Sequence, residues 1–219
     1  MNDPDADLDL DHEPASAPPS TAGASYAARL ERLEGARWKR ALDVQRPYRW
    51  NIRRLCTGFT LDVGCGIGRN LAHLSGNGVG VDHNAAAIAT ARARGLTAFT
   101  TEGFAGSVYD RPGRFDHLLL AHVVEHCSED DARALVAAHL GYIRPGGTVV
   151  IVTPQEAGQR SDATHVTFCD HEVVTRILQG LDVTVDRRRS FPFPRPAGRV
   201  FRYNEFVTTG VVTALGERV

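Results

Sequence analysis

Apolar residues along this chain alternate between short runs and stretches with helical spacing. The runs at 59–63, 78–84, 97–101 and 115–122 are typical of buried strands, and a β-branched run at 148–152 predicts a fifth strand. The segments between these strands have helical character, at residues 70–74, 85–95 and 129–141. Strands that alternate with helices in this way predict an α/β fold built on a parallel sheet.

The last third of the chain continues with a different pattern. Residues 170–181 have helical spacing, and two further strands are predicted at 181–188 and 205–212. The connection between these strands, residues 191–204, contains too many prolines to form a strand itself.

The region before the first strand divides into two parts. Residues 1–24 alternate Asp with small residues and then turn to Pro, Ser and Ala, so they cannot bury enough apolar surface to fold. We therefore predict a disordered acidic tail at 1–24 and one folded domain at 25–219. Within that domain, residues 26–44 and 47–55 have helical spacing, and the second of these helices has a proline near its start.

A glycine loop follows the first strand, and its spacing restricts the ligand. Gly64, Gly66 and Gly68 occupy every second position, whereas a dinucleotide site requires G-x-G-x-x-G. Asp62 stands two residues before the first glycine. A carboxylate at that position would repel a pyrophosphate but suits an ammonium group. The loop therefore favours a ligand with an amino group over NAD or a related dinucleotide.

A second acid follows at the end of the next predicted strand. Asp82 lies 18 residues after Gly64. At a strand end of a parallel sheet, a carboxylate can accept hydrogen bonds from both hydroxyls of a ribose. The two acids together indicate a nucleoside that also carries an amino group.

These segments resemble those of a known family. The stretch 61–70 looks like motif I of the class I methyltransferases that depend on S-adenosylmethionine (SAM), and four segments within residues 50–155 match that family in order. The resemblance implies a Rossmann-like fold with a seven-stranded, mostly parallel sheet whose last strand is antiparallel. It also implies SAM as cofactor, with an acid or a backbone group after the third strand at the adenine. The cofactor-binding residues implied in this way are Asp62, Gly64, Cys65, Gly66, Asn70, Asp82, His83, Glu102, Gly103, Phe104 and Ala121.

Candidate chemistry begins where the fourth strand ends. His122, Glu125 and His126 form an H-x-x-E-H segment, which resembles the E-x-x-E-H segment of quinone-biosynthesis O-methyltransferases that bind a divalent metal. These three residues are the predicted metal ligands, with an ion such as Mg²⁺ as the implied cofactor. His122 replaces the first glutamate, and imidazole suits Zn²⁺ and other transition metals better than Mg²⁺. The alternative is that Glu125 and His126 only brace the turn.

A second histidine follows the fifth strand. His165 occupies an H-x-x-F position at which many family members place a histidine beside the methyl acceptor. A neutral imidazole suits the removal of a hydroxyl proton near pH 7. His122, His126 and His165 are therefore the predicted catalytic residues, and His165 is also a candidate metal ligand. The alternative for His165 is a histidine on a surface loop.

The acceptor is predicted from the tail and from the overall similarity. Aromatic and polar residues at 191–195 and 201–204 suit the wall of a pocket for a polyhydroxylated ligand, although a dimer contact or a plain connection explains them equally well. The whole chain resembles small actinobacterial methyltransferases, including those that act on saccharides such as precursors of methylated mannose polysaccharides. We predict O-methylation of a small molecule, with a saccharide as the best candidate.

Other functions fit the same cofactor site. A SAM-dependent N- or C-methyltransferase would need no metal, and a binding protein with a vestigial SAM site would need no base. Methylation of DNA is disfavoured, because an Asn/Asp-Pro-Pro-Tyr/Phe segment is expected after the fourth strand and residues 121–124 read Ala-His-Val-Val.

Charge and composition narrow the partners. Six acids lie within residues 1–13, and the rest of the chain has 20 acidic and 25 basic residues. This mildly basic charge is spread out, so nucleic acid is not favoured. No apolar run approaches the roughly 20 residues that span a membrane. The four cysteines form no CxxC pair, which favours reduced thiols and a cytoplasmic location. A small-molecule partner is expected, and a homodimer stays open.

Overall fold

The computed structural model describes residues 45–213. The predictions for the acidic tail at 1–24 and for a helix at 26–44 therefore lie outside the described residues. Within the described span, no helix combines the length and the apolar character needed to cross a bilayer.

Seven strands form one sheet in the order β3-β2-β1-β4-β5-β7-β6. Strand β7 pairs antiparallel with both β5 and β6, and the pairs among β1 to β5 are parallel. This arrangement confirms the predicted fold class. The strands are β1 (Thr60–Val63), β2 (Gly78–Asp82), β3 (Ala98–Thr100), β4 (Phe115–Ala121), β5 (Ile143–Pro154), β6 (Val183–Phe191) and β7 (Glu205–Val212).

Helices connect the strands. Three of them begin directly after a capping side chain, which accepts hydrogen bonds from backbone N–H groups of the first turn. The capping residues are Asn84 for α3 (Ala85–Ala93), Ser128 for α5 (Glu129–Leu140) and Asp170 for α7 (His171–Leu178). The helices are α1 (Arg46–Leu55), α2 (Arg69–His73), α3 (Ala85–Ala93), α4 (Thr101–Phe104), α5 (Glu129–Leu140), α6 (Glu156–Gln159) and α7 (His171–Leu178), with 3₁₀ turns at Val124–His126 and Arg195–Arg199.

The central strands are buried on both faces because their apolar side chains alternate between two cores. On β4, Leu118 and Leu120 pack in the larger core together with α5 and α7, whereas Leu119 packs on the opposite face with Ile52 of α1. Side chains of adjacent strand residues point to opposite faces of a sheet. A continuous apolar run is therefore what a strand in this position requires.

The largest differences from the predicted strand boundaries are at the start of β5 and the end of β6. Strand β5 begins at Ile143, earlier than the β-branched run, and its pairing with β4 is irregular between Phe115 and His117. The Pro-Gly-Gly sequence at 145–147, which would suit a turn, therefore lies within the strand as an irregularity. Strand β6 extends to Phe191 because its ladder with β7 continues as far as Glu205. The longer pairing of β6 with β7 places Glu205, the first residue of β7, at the edge of the sheet where the parallel strand β5 ends.

The loop after β1 depends on glycine for its shape, which gives a first prediction. Gly64 has φ of +73°, and a Cβ at this position would lie 2.5 Å from Val123 Cγ2. Gly64→Ala is expected to lower the free energy of unfolding by about 2 kcal/mol or more, because backbone strain and a clash with a stiff β-branched side chain add. Chemical denaturation measures this loss.

Gly76→Ala is the matched control for that prediction. Gly76 has φ of +76°, and a Cβ added there would meet no atom of the described residues within 4 Å beyond its chain neighbours. The control therefore carries the backbone strain without the clash, at a cost of about 1 kcal/mol. Equal destabilisation by the two substitutions would show that the close approach of Val123 to the loop is unimportant.

Candidate functional site

A cavity of about 300 Å³ opens at the edge where β4 and β5 end. In open α/β sheets, ligands bind outside the carboxyl ends of the strands. Its walls come from α1, α2, the ends of β4 and β5, the loop at 158–165 and the start of β7. The polar and charged lining residues are Gln45, Tyr48, Asn51, Arg69, Asn70, His73, His122, His126, Ser161, Asp162, His165, Arg202, Tyr203 and Glu205.

Asp62 is a buried carboxyl group beside this cavity. It belongs to β1, and neither of its oxygens has a hydrogen-bond partner of normal geometry within the described residues. Burial raises its pKa to about 7, an effect that Arg69 and Asn70 partly oppose. Both of those residues line the cavity. An unpaired buried carboxyl is unfavourable in the free protein and is suited to a cationic ligand group.

Asp82 connects the glycine loop to the end of β2. Its two oxygens accept hydrogen bonds from the backbone N–H groups of Gly66 and Asn84, both at 2.8 Å. Each carboxylate oxygen has a second lone pair, so both can still accept a hydrogen bond from a ribose hydroxyl. The structure thus presents the acid and the loop together, as the sequence pattern requires.

The other predicted cofactor residues lie at different depths around this edge. Asn70 and Ala121 line the cavity, and Cys65 is buried beneath the loop. His83 is exposed beside Asp82, and Glu102 is exposed in α4. The Phe104 side chain is buried in the core against Phe99 and Tyr142, so only its backbone is available to a ligand.

His122 stands between two carboxylates. Its Nδ1 lies 3.2 Å from Glu125 Oε1, and its Nε2 lies 2.9 Å from Glu205 Oε1. Burial disfavours the charged imidazole, but the hydrogen bonds to Glu125 and Glu205 outweigh burial and raise the pKa of His122 to about 9. Carboxylates accept hydrogen bonds, so both ring nitrogens act as donors. The predicted roles of His122 as base and as metal ligand therefore find no free lone pair in this geometry.

A different trio of side chains converges next to His122. Glu125, His126 and His165 each place a potential ligand atom so that the three atoms lie within 4.8 Å of one another. The rings of His126 and His165 have centroids 4.9 Å apart. Glu125 is fully buried, and its Oε2 has no hydrogen-bond partner within the described part of the chain. The structure thus groups His165 with two of the predicted metal ligands, and leaves His122 behind Glu125.

Backbone carbonyls fix the orientation of both histidines in this trio. His126 Nδ1 lies 3.0 Å from the Thr164 carbonyl oxygen, and His165 Nδ1 lies 3.1 Å from that of Gln159. A carbonyl only accepts, so each Nδ1 carries a proton, and in the neutral ring each Nε2 then keeps a lone pair. Burial lowers the pKa of His165, which favours its neutral form. The donor set of one carboxylate and two imidazoles fits a divalent transition metal ion.

The tail divides into a part that lines the cavity and a part that supports it. Arg202 and Tyr203 line the cavity, and the Tyr48 hydroxyl donates to the Tyr203 carbonyl at 2.8 Å. Asn204 is fully buried and its amide donates to Gln155 Oε1 at 3.0 Å and to Ser190 Oγ at 2.9 Å. Its role is therefore to hold the loop, whereas the predicted contact with the acceptor is left to Arg202 and Tyr203.

Sequence reasoning did not identify Glu205 or Arg69. Both line the cavity, Glu205 as the first residue of β7 and Arg69 as the first residue of α2. Arg69 follows the last glycine of the loop directly, which is a signal that the sequence offered. Glu205 has no such signal, because only the pairing of β7 with β5 brings it to this edge.

The comparisons with known proteins point to a methyltransferase domain. A family model described as a methyltransferase domain matches residues 60–147, which contain β1 to β4, the glycine loop and both strand-end acids. No curated protein matches the chain.

Solved structures share the fold at low sequence identity. Magnesium protoporphyrin IX methyltransferase from Synechocystis PCC 6803 with bound SAH has a TM-score of 0.63 and 13% identity, with 88% of this chain and 97% of that chain covered. A Haloferax volcanii protein described as a methyltransferase, in complex with the Trm112 methyltransferase activator, has a TM-score of 0.62 and 17% identity. The match covers 86% of this chain and 95% of that chain. A SAM-dependent methyltransferase from Archaeoglobus fulgidus has a TM-score of 0.57 and 16% identity, and the match covers 85% of this chain and 99% of that chain.

The family match therefore identifies a methyltransferase domain over residues 60–147, and the seven-stranded sheet has the Rossmann-like order of the methyltransferase fold. The solved structures that share this fold include a methyltransferase described as SAM-dependent and one with bound SAH.

Proposed function

We propose that this enzyme transfers the methyl group of SAM to a hydroxyl of a small molecule, with a saccharide as the best candidate. The observation that carries the proposal is the trio Glu125, His126 and His165, of which the two histidines line the cavity where the acceptor would lie. A hydroxyl is a poor nucleophile until its proton is removed or its pKa is lowered. An enzyme that methylates hydroxyls therefore needs such a group.

The cofactor half of the site follows from the two strand-end acids. Asp62 would accept the ammonium group, which would give its unpaired oxygens a partner, and Asp82 would accept the ribose hydroxyls. Bound SAM supplies a methyl group already activated by its sulfonium. The residues of the loop then only have to hold the cofactor so that the methyl group lies in line with the acceptor oxygen.

The acceptor half of the site offers two ways to activate a hydroxyl. The imidazole of His126 or His165 would accept the hydroxyl proton at Nε2, since Nδ1 of each is held by a carbonyl. Alternatively, Glu125, His126 and His165 would together hold a divalent ion, which would lower the pKa of an acceptor hydroxyl. Both routes use the same lone pairs, and we favour the ion because the buried Oε2 of Glu125 then gains a partner.

The cavity walls suit a polyhydroxylated acceptor. Charges of both signs lie around the cavity, with Arg69 and Arg202 opposed by Asp162 and Glu205, and Tyr48 and Tyr203 add aromatic surface. Hydroxyl groups donate to carboxylates and accept from guanidinium groups, so a sugar would find partners of both kinds. This lining supports the saccharide proposal without selecting a particular sugar.

The test combines SAH binding with a transfer assay. We expect SAH to bind by calorimetry, and radiolabelled methyl from SAM to appear on mannose or a mannoside from a panel of sugars, a catechol and a primary amine. A chelator is expected to reduce the rate, and an added divalent ion to restore it. Methylation of the amine alone, unaffected by chelator, would instead support the N-methyltransferase alternative. Binding without transfer to any member of a broad panel would favour a vestigial site.

A further inference from the structure

The arrangement of His122 between Glu125 and Glu205 has no role in the chemistry above, although it lies at the centre of the site. The imidazole joins Glu125, a buried glutamate that follows β4, to Glu205, which begins β7 and lies 83 residues after His122. Contacts to both of its nitrogens leave it no lone pair for a metal or a proton. A different function must therefore explain this residue.

We propose that His122 and Glu205 are positioning residues that hold the Glu125 carboxylate beside His126 and His165. The inference rests on the metal-binding part of the proposed function. In metal sites, the hydrogen-bond partners behind the ligands fix ligand orientation and contribute strongly to affinity. Here one oxygen of Glu125 is occupied by His122, and Oε2 is the oxygen that carries no hydrogen bond among the described residues.

The backbone of His122 supports this assignment. Its φ is +61°, in the left-handed region that non-glycine residues seldom adopt, and its N–H donates to the Val152 carbonyl at 2.9 Å. Such a conformation costs about 1 kcal/mol or more and persists where the surroundings determine it. The strained residue turns the chain directly after β4, and its ring then reaches both glutamates.

Glu205 completes the arrangement from the opposite wall. Its side chain is 13% exposed, and its backbone is paired with Pro154 of β5 and Phe191 of β6. Its carbonyl also accepts a hydrogen bond from Gln155 Nε2 at 2.9 Å. Glu205 is thus fixed by the sheet, and it holds His122 from the side opposite Glu125. Loss of the Glu205 charge should therefore loosen Glu125 without any change in the ligands themselves.

A metal titration tests the proposal on the full chain. Chelator-treated protein is titrated with Co²⁺, whose visible absorption reports the ligand set. We expect wild type to bind one Co²⁺, His126→Asn to lose the bands, and Glu205→Gln and His122→Asn to bind about 10–100-fold more weakly. Asparagine tolerates the left-handed backbone, so His122→Asn removes the ring without new strain. SAH affinity should change less than about twofold in both positioning variants.

Glu172→Gln provides the matched control. Glu172 makes an exposed ion pair with Arg188 at 2.8 Å, so the same chemical change there should leave Co²⁺ affinity unaltered. If His122 and Glu205 only connect β4 to β7, Glu205→Gln will have a lower melting temperature but the wild-type Co²⁺ affinity and spectrum. That result overturns the inference and leaves the proposed function untouched. Should wild type bind no Co²⁺, both the inference and the metal part of the proposed function fail. If His122→Asn does not fold, Glu205→Gln decides the outcome.

Discussion

Asp62→Asn is expected to remove SAM binding and, at the same time, to raise the melting temperature of the free protein. The wild-type carboxyl is completely buried without a normal hydrogen-bond partner among the described residues, which is why its pKa rises from 3.8 to about 7. Loss of one member of a buried charge pair costs about 2–5 kcal/mol of binding energy, so SAH affinity should fall roughly 30-fold or more. Calorimetry with SAH measures the first effect, and thermal unfolding without ligand measures the second.

The pH dependence of both effects distinguishes this account from a general disturbance of the loop. Because folding raises the pKa of Asp62, the wild-type protein loses stability as pH rises from about 4 through about 7. The gain in melting temperature of Asp62→Asn should therefore be largest above about pH 7 and vanish near pH 4. An ammonium ligand needs the ionised carboxylate, so wild-type SAH affinity should be about tenfold weaker at pH 6 than at pH 8.

Asn77→Asp is the control, and it makes the reverse chemical change: it adds a carboxylate instead of removing one. Asn77 is an exposed residue before β2, and an added carboxylate there has access to water. It should change neither SAH affinity nor its pH dependence. An Asp62→Asn variant that binds SAH as tightly as wild type would show that the ammonium is held elsewhere.

The cofactor half of the site could be predicted from the sequence because its determinants are local. Each strand of a parallel sheet ends at the same edge, so Asp62 and Asp82 needed only correct strand assignments to be brought near the glycine loop. The apolar runs of the central strands are unambiguous because those strands are buried on both faces. The resemblance to a family supplied the antiparallel β7, which periodicity alone would not have given.

The acceptor half could not be predicted in the same way because its residues meet only through tertiary structure. His165 reaches His126 from a loop 39 residues away, where the backbone N–H groups of Val166 and Thr167 donate to the Glu125 carbonyl. Glu205 reaches His122 because β7 inserts between β5 and β6. The positive φ of His122 also gave no signal, since a glycine normally marks such a conformation. The H-x-x-E-H spacing therefore suggested the right region but could not determine which histidine faces the cavity with a lone pair.

Replacement of His126 or His165 by asparagine is expected to produce the second large effect, a loss of turnover with the cofactor still bound. A group that removes a proton or holds an activating ion typically contributes about 10²–10⁴-fold to the rate. The initial rate of methyl transfer from SAM, measured with the acceptor that the panel identifies, should fall by about this factor. SAH affinity should stay within about twofold of wild type, because Asp62 and Asp82 hold the cofactor.

His139→Asn is the matched control for these two substitutions. Its Nδ1 also faces a backbone carbonyl, that of Leu135 at 2.8 Å, and burial lowers its pKa as it does for His165, but it lies in α5 and does not line the cavity. Turnover of this variant should match wild type. If either cavity histidine can be replaced with less than about a threefold loss, that residue neither accepts the proton nor holds an ion. If both histidines can be replaced with so small a loss, the proposal of a hydroxyl acceptor is wrong. The acceptor would then be a group that is nucleophilic without activation, such as an amine.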